Sequence, residues 1–206
     1  MLRLGITGGI ACGKSTVAEM LRVLEFDVID ADKLAHELIE SGQPAHQEIL
    51  REFGASIKTV GATIDRAKLA AIVFADPAKL QRLNAIVHPR VEHEVFRQFE
   101  EWQVEGSRQA AFVEAALLVE AGLHSALDGV IVAWCTPQQQ LDRLAARGLS
   151  REEARLRIAR QMPVDEKLRF ATEKIDCSGS LDETRRQVQE LAGKIRSRRL
   201  LPAKKK

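Results

Sequence analysis

Three observations predict an α/β fold in which helices cover both faces of a parallel five-stranded sheet. A glycine-rich segment, residues 8–16, stands between an apolar run and a helical pattern. Further short apolar runs then alternate with helical patterns, which favours parallel strands joined by crossover helices. Between the second and third runs, residues 32 to about 102 have a helical pattern. This stretch predicts a helical insertion in the sheet-bearing part of the chain.

The first predicted strand covers residues 2–7, where apolar residues cluster and alternate as in a buried strand. Residues 8–16 read Gly-Gly-Ile-Ala-Cys-Gly-Lys-Ser-Thr and fit the pattern G-x-x-x-x-G-K-[ST]. Apolar residues recur at helical spacing after the loop, at Val17, Met20, Leu21 and Leu24. The strand, the loop and the helix therefore stand in the order that a phosphate-binding loop requires.

The loop predicts a nucleoside triphosphate as the ligand. Gly8 and Gly13 allow the backbone to curl so that its N–H groups converge on phosphate oxygens, and the helix contributes its positive N-terminal end. Lys14 is expected to reach the β- and γ-phosphates. The hydroxyl of Ser15 is the predicted metal ligand, for Mg²⁺.

The second strand is predicted over residues 26–30, and it brings Asp30 and Asp32 to a strand end. Chemistry in α/β sheets concentrates at the carboxyl ends of strands. Short turns at Ser41-Gly42 and Asp76-Pro77 divide the helical insertion that follows.

The last three strands are predicted over Ala110–Glu114, Gly129–Trp134 and residues 174–177. Thr136, followed by proline, predicts the start of a helix after the fourth strand. Ser150 and Ser180 each precede a glutamate by three residues, the pattern of a capping box, and predict two more helices. We expect residues 201–206 to form a frayed tail.

Composition and length favour one domain. We expect a core of about residues 1–31, 106–140 and 172–200, an acceptor-binding insertion of about 32–105 and a lid of about 141–171. The formal net charge of +2, from 31 basic and 29 acidic residues, gives no field favouring nucleic acid or an anionic membrane. No apolar run is long enough for a membrane span, and no signal peptide is visible. A soluble, cytoplasmic protein is expected, with a monomer favoured.

Nucleotide loops occur in switches, motors and small-molecule kinases. Guanine-specific switches usually carry an Asn-Lys-x-Asp motif, but Asn84 is the single asparagine here and lies in another context. The chain instead offers a helical insertion that could hold an acceptor and an arginine-rich segment, residues 143–169, that could close over a donor.

Several separated segments match one family of small kinases, and they do so in the same order. They are Gly5-Ile6-Thr7-Gly8-Gly9-Ile10 with Gly13-Lys14-Ser15-Thr16, Val28-Ile29-Asp30-Ala31-Asp32, His88-Pro89-Arg90-Val91, Leu117-Leu118-Val119-Glu120, and Arg143-Leu144 through Arg147-Gly148-Leu149-Ser150 with Arg157, Arg160, Gln161 and Lys167. From residue 2 to about residue 191 the chain resembles the dephospho-CoA kinase family, whose architecture is similar to that of nucleoside monophosphate kinases.

The resemblance implies a P-loop kinase that uses ATP and Mg²⁺ to phosphorylate the ribose 3′-hydroxyl of dephospho-CoA, the last step of coenzyme A synthesis. Another small-molecule or nucleoside monophosphate kinase is the first alternative. A non-catalytic, nucleotide-binding regulatory module is the second.

The expected catalytic residues are Lys14, Asp32 and Arg147. Asp32 would accept the ribose proton, with a helix cap as the alternative role. Arg143 and Arg147 share a helix face on which a bound phosphate would offset their repulsion. The expected ATP-binding residues are Gly9, Ile10, Ala11, Cys12, Gly13, Lys14, Ser15, Thr16, Arg143 and Arg147. The resemblance places the acceptor against Asp32, His88, Pro89, Leu118 and Glu120.

Two residues depart from the family pattern. Ala116 stands where proline is common before Leu-Leu, and Cys177 stands where asparagine is usual, which puts adenine contacts near residues 176–179 in doubt. His88 precedes proline, so we expect an extended conformation at a helix break.

Two further residues have alternative interpretations. Glu114 is either a holder of a Mg²⁺-bound water or an acid on an exposed strand terminus. Cys12 is either a small residue in a tight loop or a thiol whose pKa the helix N-terminus lowers. The three cysteines have neither disulfide-framework nor zinc spacing, so no structural metal and no redox role are expected.

Overall fold

The computed structural model describes residues 1–59, 61, 63–106 and 109–197. The tail predicted at 201–206 lies outside these residues. The chain divides into two compact units. One contains Met1–Asp30 and the described residues from Phe99 onward, and the other contains Ala31–Gln98.

The first unit contains a five-stranded parallel sheet, as the sequence predicts. Its strands are β1 (Leu2–Gly8), β2 (Asp27–Asp30), β3 (Ala110–Glu114), β4 (Gly129–Trp134) and β5 (Glu173–Asp176). They lie in the order β2-β3-β1-β4-β5, and every neighbouring pair is parallel. All five carboxyl ends therefore lie along one edge of the sheet, where β1 runs into the glycine loop.

The α-helices of the described residues occupy both units. They are α1 (Lys14–Val23), α2 (Ala31–Leu38), α3 (Pro44–Phe53), α4 (Arg66–Ala75), α5 (Pro77–Glu105), α6 (Pro137–Ala146), α7 (Arg151–Ala159), α8 (Val164–Lys167) and α9 (Leu181–Arg196). None of them, over the part of the chain that the structure describes, has the length and apolar character needed to cross a bilayer.

The main core lies between the sheet and the pair α1 and α9. Its buried side chains come from alternate strand positions and from one stripe of each helix; they are Leu4, Ile6, Phe112, Ile131, Ala133 and Ile175 from strands and Val17, Ala18, Leu21, Val188, Leu191 and Ile195 from helices. On the opposite face, Leu118 and Leu127 pack against Gly5, where an added Cβ would come within 2.7 Å and 2.9 Å of them. Successive residues of β1 therefore point to opposite faces of the sheet, and both faces are covered by packed side chains.

Three helices begin with the caps that the sequence predicts. Thr136, Ser150 and Ser180 each accept a hydrogen bond from the backbone N–H three residues later, at 3.3, 3.2 and 3.2 Å. In all three the residue at that third position reaches back to the cap, which completes a capping box.

The unit Ala31–Gln98 has a core of its own, formed by helices α2 to α4 and the first part of α5. Its buried members are Ile39, Ala45, Ile49, Ile57, Leu69, Val73 and Ile86. Asp65 caps α4 by accepting hydrogen bonds from the backbone N–H groups of Ala67 and Lys68, each at 3.1 Å.

The expected helix break at His88 is wrong, because α5 continues through Pro89. Proline removes one backbone donor and costs about 3 kcal/mol inside a helix. Burial of Ile86 and Val91 on either side of the proline offsets this cost. The Arg90 guanidinium also donates a hydrogen bond to the carbonyl of Ile86, within the same turn.

Candidate active site

The glycine loop joins the end of β1 to the first residue of α1. Gly8 lies so close to β4 that an added Cβ would be 2.2 Å from the Ala133 carbonyl oxygen. Gly13 has φ +91°, in the left-handed region that glycine adopts at low cost. Ala11 also has a positive φ, of 60°, and Cys12 N–H donates to the Gly9 carbonyl at 3.0 Å. The loop is therefore tightly curled around its own backbone.

The N-terminus of α1 offers backbone donors to an anion. The bond from Val17 N–H to the Gly13 carbonyl, at 3.0 Å, is the first of the helix. Ser15 and Thr16 belong to the first turn of α1, where backbone N–H groups have no carbonyl of an earlier helical turn to bond. Together with the helix dipole they match what the motif predicts for an anion site, and their contact with phosphate stays a prediction.

Glu114 connects the ends of β3 and the glycine loop. Its Oε1 accepts hydrogen bonds from Lys14 Nζ at 2.6 Å and from Ser15 Oγ at 2.7 Å. Arg22 Nη2 lies 3.8 Å from the other carboxylate oxygen. Because Glu114 is only 2% exposed, the alternative of an exposed strand terminus is wrong. Asp30, at the end of β2, is its neighbour in the sheet register.

The donor set around Ser15 fits a small hard cation. The Ser15 hydroxyl and the Glu114 carboxylate are both oxygen ligands, which Mg²⁺ prefers. Within the described residues, no group of three or more His, Cys, Asp or Glu side chains forms a metal cluster.

Amide side chains from other elements support the glycine loop. Ile10 N–H donates to Gln161 Oε1 at 2.8 Å, and Gln140 Nε2 donates to the Ile10 carbonyl at 2.8 Å. Arg143 donates to the carbonyls of Ala11, at 3.1 Å, and of Cys177, at 2.6 Å. The support from Gln140 was not predictable from the sequence. Its only signal was a run of polar residues after a buried strand.

Lys167 is a fully buried cation beneath the loop, with a relative exposure of 0%. Its Nζ donates to the carbonyls of Ala116, at 2.7 Å, and of Gly8, at 3.4 Å. It also lies 3.0 Å from Glu120 Oε1, which accepts a hydrogen bond from Met162 N–H at 3.0 Å. Glu120, predicted to bind the acceptor, thus joins two parts of the lid segment in this structure.

The other predicted lid and acceptor residues occupy different environments. Arg147 follows the last residue of α6 as its C-cap and is exposed. Arg143, one turn earlier, points to the loop carbonyls. Leu118 is 1% exposed and packs in the core. Their predicted contacts with ligands stay predictions.

Asp32 and His88 belong to the unit Ala31–Gln98. Asp32 is the second residue of α2, where a negative charge interacts favourably with the positive end of the helix dipole. His88 lies within α5, and partial burial lowers its pKa by disfavouring the charged form. A neutral imidazole is therefore favoured at this position.

The three cysteines converge around the loop although the sequence separates them widely. Cys135 Sγ donates to Cys12 Sγ at 3.3 Å, and Cys177 Sγ lies 3.0 Å from where a Cβ on Gly13 would be. The hydrogen bond with Cys135, together with burial, raises the pKa of Cys12, so the alternative of a lowered pKa is wrong. Burial likewise raises the pKa of Cys177 to about 11.

Backbone contacts order the turn at residues 176–179. Gln187 Nε2 donates to the Asp176 carbonyl, and Asp176 Oδ1 accepts from Ser178 N–H, both at 2.8 Å. Gln139 Nε2 donates to the Ser178 carbonyl at 2.6 Å. The Cys177 side chain points inward, 5% exposed, so its thiol lies in the core rather than on the surface of the turn.

Comparison with known proteins identifies close relatives. A family model described as dephospho-CoA kinase matches residues 2–183. A dephospho-CoA kinase of Symbiobacterium thermophilum is 48% identical over 90% of this chain and 78% of its own length. Among solved structures, a Thermus thermophilus protein has a TM-score of 0.78 at 36% identity, covering 94% of this chain and 97% of its own. A dephospho-CoA kinase from Campylobacter jejuni has a TM-score of 0.72 at 30% identity, covering 96% of this chain and 98% of its own.

Proposed function

This chain belongs to the dephospho-CoA kinase family, and we propose that it transfers the γ-phosphoryl group of ATP to the ribose 3′-hydroxyl of dephospho-CoA. The products are ADP and coenzyme A, and the reaction is the last step of coenzyme A synthesis. The observation that carries the proposal is the loop of residues 8–16, with Lys14 and Ser15 hydrogen-bonded to a buried acid at the end of β3.

The donor half of the reaction follows from this arrangement. Phosphoryl transfer requires little covalent chemistry from the protein, because positioning and charge neutralisation supply most of the catalysis. Lys14 is the cation that would move from Glu114 to the β- and γ-phosphates, while the N–H groups at the start of α1 bind the same phosphates. Arg143 and Arg147 would add positive charge on the lid side.

Ser15 and Glu114 would hold Mg²⁺, Ser15 through its hydroxyl and Glu114 directly or through a bound water. When bound, the ion neutralises charge between the β- and γ-phosphate oxygens. In the structure, Lys14 lies 2.6 Å from Glu114 and compensates its buried charge. If Mg²⁺ replaced Lys14 beside Glu114, the Glu114 carboxylate would keep a positive partner before and after nucleotide binding.

Asp32 would act on the acceptor. Its carboxylate would accept the proton of the 3′-hydroxyl as the new O–P bond forms and the bond to the ADP oxygen breaks. His88, Pro89, Leu118 and Glu120 complete the proposed acceptor contacts, and the insertion of about residues 32–105 would carry most of them. The lid would be the segment 141–171. A cytoplasmic monomer is proposed as the working form.

A coupled assay for ADP release tests the reaction with dephospho-CoA, AMP, CMP and shikimate as acceptors. Turnover only with dephospho-CoA is expected. Turnover with another acceptor alone would replace the proposal with a different small-molecule kinase, and binding of ATP without any turnover would favour a regulatory module.

Lys14→Gln and Asp32→Asn each keep the size of the side chain and remove its charge. Each should lower kcat about 10²-fold or more. Lys194→Gln and Asp182→Asn are matched controls, because both residues lie on α9, where Asp182 pairs with Arg185 of the same helix and Lys194 pairs with Glu173 of β5. Full activity in folded Lys14→Gln and Asp32→Asn proteins would contradict the mechanism.

Glu114→Gln tests the metal assignment separately. It preserves an acceptor for Ser15 but removes the charge that would attract Mg²⁺. We expect the Mg²⁺ concentration for half-maximal rate to rise several-fold at fixed ATP, whereas Glu173→Gln should leave it unchanged. If Glu114→Gln and Glu173→Gln required the same Mg²⁺ concentration for half-maximal rate, the assignment of Glu114 to the metal site would be wrong.

A further inference from the structure

Two thiols meet at the base of the glycine loop. Cys12 belongs to the loop, and Cys135 follows the last residue of β4. Their sulfur atoms are 3.3 Å apart, and both residues are buried, at 0% and 3% exposure. The proposed transfer reaction uses neither thiol, because loop backbone and not loop side chains would contact phosphate at Cys12.

We infer that Cys12 and Cys135 form a peroxide-driven disulfide that switches off nucleotide binding. The contact distance is the first support. A disulfide requires two sulfurs about 2.05 Å apart, so the two side chains need to approach by little more than 1 Å. The third cysteine is placed differently, since the Cys177 thiol donates to the Ile175 carbonyl at 3.8 Å.

The surroundings make Cys135 the nucleophile of the pair. Its hydrogen bond with Cys12 and the nearby Arg143 guanidinium both lower the pKa of Cys135, whereas burial opposes this effect. The same pair interaction raises the pKa of Cys12. A thiolate at Cys135 would therefore be stabilised by the positive charge of Arg143 and by a hydrogen bond donated from Cys12.

The chemistry balances with one molecule of hydrogen peroxide. The Cys135 thiolate attacks one peroxide oxygen, an S–O bond forms, the O–O bond breaks and hydroxide leaves, which takes up the Cys135 proton as water. Cys12 then attacks the sulfenic sulfur, the S–S bond forms, the S–O bond breaks, and the second hydroxide takes up the Cys12 proton. Two thiols lose two electrons and peroxide becomes two waters.

The consequence follows from the position of Cys12 in the loop. The carbonyl of the preceding residue, Ala11, accepts a hydrogen bond from Arg143, and Cys12 N–H is bonded to Gly9. Pulling Cys12 toward β4 displaces this backbone relative to the start of α1. The N–H groups that would contact phosphate move with this backbone, so they no longer converge on one anion. The oxidised loop should thus bind ATP poorly.

The experiment treats the purified full chain with hydrogen peroxide. Peptide mapping without reductant should reveal one linked pair, Cys12 with Cys135. The dissociation constant for a non-hydrolysable ATP analogue, measured by calorimetry, should rise at least tenfold, and dithiothreitol should restore it. Because both thiols are buried, a bulky aromatic disulfide reagent should react far more slowly than peroxide.

Two variants distinguish this switch from general oxidative damage. Cys135→Ala should keep its untreated ATP affinity within about twofold and should not respond to peroxide. Cys177→Ala is the matched control, because it removes a neighbouring thiol but keeps the reactive pair, so it should still form the link and lose affinity. A link through Cys177 in the parent chain, unchanged ATP affinity after linkage, or equal peroxide sensitivity in Cys135→Ala would each overturn the inference. The peptide map of the parent chain decides the linkage even if a variant fails to fold.

Discussion

Lys167 shows how a single buried residue can hold distant segments of the chain together. Desolvating an ammonium group costs several kcal/mol, so a fully buried lysine persists only with charge and hydrogen-bond partners on several sides. Here one partner is Glu120 and the others are the carbonyls of Gly8 and Ala116. These contacts join the end of β1 to the segment after β3.

Removal of this buried cation should destabilise the sheet-bearing unit. Lys167→Met keeps most of the volume but removes the cation beside Glu120 and one hydrogen bond to each of two buried carbonyls. We expect a loss of about 3 kcal/mol in the free energy of unfolding. Urea unfolding followed by tryptophan fluorescence reports on the sheet-bearing unit, because Trp102 and Trp134 both belong to it.

Lys174→Met is the matched control, since Lys174 is an exposed residue of β5 and its loss should cost no more than about 0.5 kcal/mol. A double-mutant cycle of Lys167→Met with Glu120→Gln should be non-additive, because the two residues share one contact. Additive losses would mean that Glu120 is not a true partner of Lys167.

At the scale of elements, α9 shows how a local signal and the core act together. Ser180 Oγ accepts from Glu183 N–H at 3.2 Å, and Glu183 Oε2 accepts from Ser180 N–H at 2.7 Å. The cap fixes where the helix begins, and the burial of Val188 and Leu191 fixes which face meets the sheet. An isolated helix of this length is marginal, so both contributions are needed.

The cap should make the stability of α9 depend on pH. The backbone and side-chain hydrogen bonds of Ser180 lower the pKa of Glu183, because they favour the charged carboxylate. A carboxyl group whose pKa is lower in the folded than in the unfolded state stabilises the fold at pH values above its unfolded-state pKa. This contribution to the free energy of unfolding is lost as the pH falls through the folded-state pKa. Glu183→Gln should therefore be less stable than the parent at neutral pH, and the difference should shrink below about pH 4.

Urea midpoints across this pH range measure the effect. Glu190→Gln is the control, because Glu190 is an exposed residue of the same helix outside its first turn. Its midpoint should follow that of the parent at every pH. If the urea midpoints of Glu183→Gln and the parent differed by the same amount from neutral to acid pH, the charge of the Glu183 carboxylate would have no role in the cap.

For the whole molecule, the sequence predicted what depends on local chemistry and missed what depends on distant contacts. The bounds of β3 and β4 and the three cap residues were predictable, because alternation and capping act over a few residues. The continuation of α5 through Pro89 was not, since packing on both sides overrides the local preference of proline.

The supports of the glycine loop show the same limit. Gln161 is 151 residues from Ile10, and Cys135 is 123 residues from Cys12, so no periodicity in the sequence joins them. Only the folded sheet brings the ends of β1, β3 and β4 together at one edge. The motif predicts phosphate-binding residues, whereas only the structure shows which side chains surround them.

The division of the chain into two units makes a prediction about ligands. The glycine loop and its described supports all belong to the sheet-bearing unit, whereas Asp32 and His88 belong to Ala31–Gln98. Ligands slow amide exchange mainly where they order backbone or add hydrogen bonds. Hydrogen exchange read by mass spectrometry should therefore separate the two substrates.

We expect MgATP to protect peptides that cover residues 8–16 and 137–167, because it would bind the loop N–H groups and order the lid. Dephospho-CoA added alone should protect peptides within residues 31–98 more than the loop. Lys14→Gln with MgATP is the control and should lose most of the loop protection, since its backbone remains but its phosphate-binding charge is gone. MgATP should not protect residues 31–98 as strongly as the loop. Equal protection would contradict the assignment of the donor to one unit and of the acceptor, through Asp32 and His88, to the other.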